Sequence, residues 1–282
     1  MQQVASLRYG VIFKKAFCDV EVFTAFVRDF LGFTLEIDKV ETEKSFDPPI
    51  GGVDSRFDLY AEDKKNRVIV DIQHRRYKDY YDRFLHYHCA ALLEQISNAK
   101  SYSPALTVFT IVVLTSGTKE DCAIAEINFD PVDIETNQRL NRIHHRILYL
   151  SPKQITDKTR EPCREWLLMI QDSLDEQIDE SAYHKSEILK VLNLIKTDGL
   201  TPQDRARMKD EYSLEELMLK EKTEEFHVGV KVGIEKGIQL GVEQGVERRN
   251  LEIAKHLKAQ GMSLEMIAQI TGLTHEQLNN LE

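Results

Sequence analysis

The chain has 282 residues, 42% hydrophobic and 30% charged, too apolar for a wholly disordered protein and long enough for one domain of about 150–200 residues plus an appendage. Its net charge of −10 argues against a protein that coats DNA generally, yet leaves room for a local basic groove. No apolar run approaches the roughly 20 residues that span a bilayer, and the opening MQQVASLRYGVIFKK lacks the pattern of a secretory signal, so a soluble, cytoplasmic protein is expected. Cys18, Cys89, Cys122 and Cys163 lie far apart with no CxxC, and read as small buried hydrophobes rather than as a disulfide framework or a zinc knuckle.

Residues 9–31 predict a single amphipathic helix, with Val11, Phe13, Phe17, Val20, Phe23, Phe26, Val27 and Phe30 at three- and four-residue steps and Gly32 as its end. A strand over 35–42 and a loop holding Pro48, Pro49, Gly51 and Gly52 follow. Strands at 56–61 and 67–73 flank the polar segment 62–66 and predict a hairpin. A second helix over 78–100 leads into LTVFTIVVLT at 106–115, a continuous apolar run expected of a central strand buried on both faces. Shorter strands at 123–129 and 146–150 complete the sheet. The order predicts an α/β fold, a mixed sheet flanked by helices, with an all-helical C-terminal extension after Pro152.

Three regions are expected: a sheet domain over 1–174, a charged helical arm over 175–248 and a small helix-turn-helix-like module over 249–282. From 175 to 247 there are 17 acids against 10 Lys and Arg, so the arm carries most of the negative excess. Gly229, Gly233, Gly237, Gly241 and Gly245 recur every fourth residue. On a helix such positions drift about 40° per step and form one stripe, while each interior glycine costs about 1 kcal/mol relative to alanine. Close packing on a partner helix, including a second copy of the chain, and a flexible linker both fit. In the last segment Gly261 and Gly272 supply breaks, Ser263 and Thr274 are natural N-caps, and Thr274 with Gln277 fits a capping box. Its second and third helices contain no Lys or Arg, which favours a packing or oligomerisation module over a DNA reader.

The chemistry concentrates in SRFDLYAEDKKNRVIVDIQ, residues 55–73. Strand alternation puts Val68, Val70 and Ile72 on one face and Ile69, Asp71 and Gln73 on the other, and sets Phe57, Leu59 and Ala61 opposite Asp58 and Tyr60. With Lys64 and Lys65 at the tip of a two-residue loop, Asp58 lies directly across from Asp71, and another loop length shifts the pairing by one or two residues. Facing carboxylates repel, and a hard divalent cation relieves the repulsion, since Mg²⁺ is commonly held by one or two carboxylates, water and phosphate oxygens. Gln73, on the same face as Asp71, offers an amide to orient a water. A plain hairpin with a solvated polar face accommodates the same pattern.

FKKAF on the first helix, then RFDLYAED, VDIQ and YYDRFLHYHCAALLEQISNAKSYSPALTVFTIVVL form an ordered series. Together they resemble the PD-(D/E)xK nuclease superfamily over about residues 9–150, most closely its Rpn and transposase-associated branch, in which Gln often replaces the motif Lys. The resemblance implies a restriction-endonuclease-like fold and Mg²⁺-dependent (or Mn²⁺-dependent) cleavage of double-stranded DNA, with a link to recombination or transposition. Asp58 and Asp71 match the two motif acids and are the implied metal ligands, and Gln73 stands at the Lys position. Asp71 replaces the commoner Glu, and Gly10 occupies a position that is often Asp. A nuclease fold retained as a protein-interaction module is the alternative.

Other residues carry weaker expectations. Glu21, Glu36 and Glu41 read first as surface charge, with a third carboxylate for the acid pair as the alternative for any of them. His74, Arg75, Arg76, Lys78 and Arg83 fit a basic lip for phosphates and an ordinary solvated helix start equally. Tyr77, Tyr80, Tyr81 and Tyr87 read as packing, and His86 and His88 point to different sides of their helix.

Overall fold

The apolar stripe of residues 9–31 folds as two helices, α1 (Gly10–Phe17) and α2 (Val20–Leu31), not one. The break has a chemical cause. The Asp19 carboxylate accepts from the amides of Glu21 and Val22, an N-cap that starts a new helix while the hydrophobic spacing runs on. Gly32 closes α2 at φ +84°, the left-handed conformation glycine tolerates best. The computed structural model describes residues 1–46, 55–74, 80–96, 102–116 and 121–280.

A six-stranded sheet forms from β2 (Glu41–Phe46), β3 (Ser55–Glu62), β4 (Asn66–Gln73), β5 (Thr107–Leu114), β6 (Ile124–Asn128) and β7 (Arg146–Leu150), in the order β2-β3-β4-β5-β7-β6. The β4–β5 and β5–β7 pairs are parallel and the rest antiparallel, so the sheet is mixed as expected. The first of these strands is displaced from the expected 35–42. Leu35 is buried without being in a strand, and the largely polar ETEKSF forms the edge, where pairing needs no apolar pattern. A two-residue ribbon of β1 (Gln2–Gln3) with β8 (Gln177–Ile178) was not expected.

Both faces of the sheet are covered, which is why β5 reads as an unbroken apolar run. Phe109, Ile111 and Val113 join a core with α1, α2, α4 (Cys163–Ser173) and α5 (Ser186–Leu194). Val108, Val112 and Leu114 alternate onto the other face, against Phe84, Tyr87 and Ala91 of α3 (Tyr80–Leu93). Asp29 ties the first core together, accepting from the Trp166 indole at 2.8 Å and pairing with Arg28 and Lys185.

Two compact units divide the chain, residues 1–211 and 212–282, and the long helix α6 (Pro202–Ala259) runs through the division. In the second unit Ala254 of α6, Ile267 of α7 (Leu264–Thr271), Leu273 and Leu278 of α8 (His275–Asn279) form a small core. The capping box between Thr274 and Gln277 is present, whereas Ser263 caps α7 without a side-chain hydrogen bond. The glycine stripe is helical, not a linker, and a Cβ at any of its five positions would meet nothing within 4 Å. No helix among the described residues is long and apolar enough to cross a membrane. All four cysteines are free, but only Cys163 is fully buried. Cys18 and Cys89 are half-buried, and Cys122 is exposed because it precedes β6 at the sheet's edge.

Candidate active site

The hairpin register places the acid pair. Leu59 pairs with Val70, Tyr60 with Ile69, Ala61 with Val68 and Glu62 with Arg67, the register that sets Asp58 across from Asp71. The main-chain pairing stops there. The Asp58 amide donates to Asp71 Oδ1 at 3.0 Å, and the Ile72 amide donates to Asp58 Oδ2 at 3.1 Å. Each carboxylate thus satisfies an amide in the continuation of the ladder.

Alternation along β3 also slips at Asp58. Leu59 and Ala61 pack toward α1 and α2, whereas Phe57 packs with Tyr60 and Tyr87 on the α3 side. Phe57, Leu59 and Ala61 therefore do not share one face. Such a phase slip re-aims the side chain at which it occurs, as bulges do beside active sites.

Asp71 is 4% exposed, and its Oδ2 is buried with no hydrogen-bond partner. Burial and the neighbouring charge of Asp58 raise its carboxyl well above the ordinary range, against the pull of the Asp58 amide, Arg83 and Lys14. Burial also raises Asp58, more than Lys14 and the Ile72 amide lower it. Two carboxylates that resist ionisation side by side, one with an unused buried oxygen, suit a hard divalent cation. Two oxygen donors leave the remaining positions of Mg²⁺ or Mn²⁺ to water and phosphate oxygens. The donor set is a pair: no cluster of three or more His, Cys, Asp or Glu that would hold a metal occurs among the described residues.

Two residues that sequence reasoning missed complete the surroundings. Lys14, on α1, reaches Asp58 Oδ1 at 3.5 Å and hydrogen-bonds Glu43. Glu43 sits on β2 at φ +57°, in the left-handed region, and also pairs with Arg56. Burial pushes Glu43 up, but Lys14 and Arg56 outweigh it and hold its carboxyl below the usual range. Glu43 is thus the acid the fold brings beside Asp58. Glu21 pairs with Lys190 and Glu41 with Lys39 and Lys44, while the Glu36 amide donates to Asp63. A signal for Lys14 was present in FKKAF, where a cation interrupts a buried helix, but nothing local pointed to Glu43 or its unusual backbone.

Gln73 closes the other side. Its Oε1 accepts from Arg83 at 3.5 Å, and its main-chain oxygen accepts from the Thr115 amide at 3.0 Å. Arg83 also donates to the Tyr87 hydroxyl at 3.3 Å and lies over the Tyr87 ring. The fold therefore brings Asp58, Asp71, Gln73 and Arg83 together. Arg75, Arg76, Tyr77 and Lys78 lie outside the described residues. His74 Nδ1 is 2.8 Å from the Thr115 hydroxyl. Tyr87 is core packing, and Tyr81 stacks edge-on to Tyr149; the Tyr80 side chain lies outside the description. His86 is exposed and His88 fully buried against Thr110, so they do face different ways.

The chain matches the model for a PD-(D/E)XK nuclease family transposase over residues 12–220. No curated protein and no solved structure matches it.

Proposed function

From the premise that this chain belongs to the PD-(D/E)XK nuclease family transposases, we propose that it is a metal-dependent DNA endonuclease. One observation carries the reading: an acid pair of a buried Asp71 and a part-buried Asp58, in which Asp71 Oδ2 has no protein partner. Nucleases of this family generally use divalent metal ions. Asp58 and Asp71 would hold Mg²⁺ or Mn²⁺, which when bound polarises a phosphoryl group and acidifies water. The protein's own groups position the reaction. The Asp58 and Ile72 amides fix the two carboxylates, and Arg83 fixes the Gln73 side-chain oxygen, leaving its amide nitrogen to orient a water. Arg83 would contact a phosphate of double-stranded DNA at the rim of the site.

Cutting both strands calls for two such sites. Val230, Ile234, Ile238, Val242 and Val246 follow the five glycines on α6, and all are more than 40% exposed. An apolar stripe of this kind beside backbone without side chains favours a second copy of the chain packed along it. A role in recombination or transposition is consistent with the family. The reading is tested by nicking of supercoiled plasmid with Mg²⁺, Mn²⁺ or EDTA, by wild type, Asp58→Ala and Asp71→Ala. Metal-dependent cutting lost in both variants supports it. No cutting, or equal cutting by the variants, transfers the assignment to a nuclease-fold interaction protein.

A further inference from the structure

We propose that Lys14, from the first helix, supplies the positive charge that stabilises the reacting phosphoryl group, a charge that Gln73 on the strand cannot provide. This inference rests on the nuclease reading and names a catalytic residue within it.

Phosphodiester hydrolysis gathers negative charge on the non-bridging oxygens, and fixed cations aimed at that charge are among the largest contributors to rate. A water oxygen bonds to phosphorus as the ester oxygen leaves. The attacking water gives its proton to solvent, and the departing oxygen takes one from solvent. Lys14 keeps its protons throughout and acts through its charge alone. Gln73 is neutral and holds Arg83 through its carbonyl oxygen. Arg83 itself is drawn toward the rings of α3 and the Tyr87 hydroxyl. Lys14 approaches the acid pair from the opposite layer, with its ammonium 3.5 Å from Asp58 Oδ1 and its side chain 21% exposed.

Glu43 makes this arrangement usable. It is shared between Lys14 and Arg56, so it keeps an ionic partner if Lys14 turns from it to a phosphate. The flexible lysine stem permits that turn, and Glu43 is the residue that parks the ammonium beside the acids until then. The helix bearing Lys14 is anchored where it begins: the Glu211 carboxylate accepts from the amides of Gly10 at 2.8 Å and Val11 at 3.0 Å.

The test uses the full chain, with Lys14→Gln and Lys14→Arg. Single-turnover nicking of plasmid in Mn²⁺ is measured with Mn²⁺ affinity by calorimetry and DNA affinity in Ca²⁺. Lys14→Gln is expected to slow cutting by about 10²–10³-fold. Its Mn²⁺ affinity should be unchanged or tighter, because a cation beside the metal ligands has gone, and its DNA affinity should stay within about threefold. Lys14→Arg is expected to recover at least tenfold of the rate. Wild-type cutting by Lys14→Gln overturns the proposal. So does a parallel fall in cutting and Mn²⁺ affinity, the mark of a lysine that merely holds Asp58 in place. Failure of the wild type itself to cut with any metal refutes the nuclease reading and this inference with it.

Discussion

The amide of Asp58 donates to the carboxylate of Asp71 at 3.0 Å, so the backbone of one acid is held by the side chain of the other. This contact fixes the separation of two groups that repel, at the point where the hairpin ladder ends. Its electrostatic cost is visible in the raised Asp71 carboxyl. The folded chain binds the Asp71 proton more tightly than the unfolded chain does. Stability from this group is therefore full below the ordinary carboxylate pKa of about 4 and declines as pH rises through the higher folded value. Asp71→Asn removes the buried charge. In EDTA at neutral pH, this variant should be more stable by about 1–2 kcal/mol, raising Tm by roughly 2–8 °C. A lower Tm would show that the pair is not strained.

Metal affinity should follow the same protons. A cation requires both carboxylates ionised, and their raised pKa values make protons effective competitors. Mn²⁺ binding should tighten with pH through the range in which the pair ionises, by up to about tenfold per unit for each proton displaced. Calorimetry at several pH values checks this, and an affinity flat with pH would contradict it.

Glu211 stands 200 positions or more from the amides of Gly10 and Val11 that it caps. This distant carboxylate satisfies two amides at the start of α1. Glu211→Ala should destabilise the chain by about 1–2 kcal/mol, and Glu211→Gln, which keeps an acceptor, by less. Urea unfolding measures both; equal stability of Glu211→Ala and wild type would remove the cap from the account.

The exposed stripe on α6 predicts self-association. Ile234→Glu with Ile238→Glu, both more than half exposed in the chain, should halve the mass seen by light scattering and leave Tm of the first unit unchanged. An unaltered mass would exclude this face as the contact.

The hairpin register was legible in the sequence because a two-residue tip at Lys64 and Lys65 fixes the pairing, and extending that register sets Asp58 opposite Asp71. β5 was legible for a related reason, since burial on both faces leaves an unbroken apolar run. The break at Asp19 was hidden, because a side-chain cap interrupts a helix without disturbing its hydrophobic spacing. β2 was misplaced because an edge strand carries no such spacing. The phase slip at Asp58 and the arrival of Lys14 and Glu43 beside it depend on which layer packs where, and neither has a local signature.

Asp58 and Asp71 as a metal site are tested most directly by titration of the full chain with Mn²⁺. Wild type should bind Mn²⁺ with a heat signal that is abolished in Asp71→Asn and in Asp58→Asn, with both variants folded by circular dichroism. Binding of equal strength in all three proteins, or none in the wild type at any pH from 6 to 9, would contradict it.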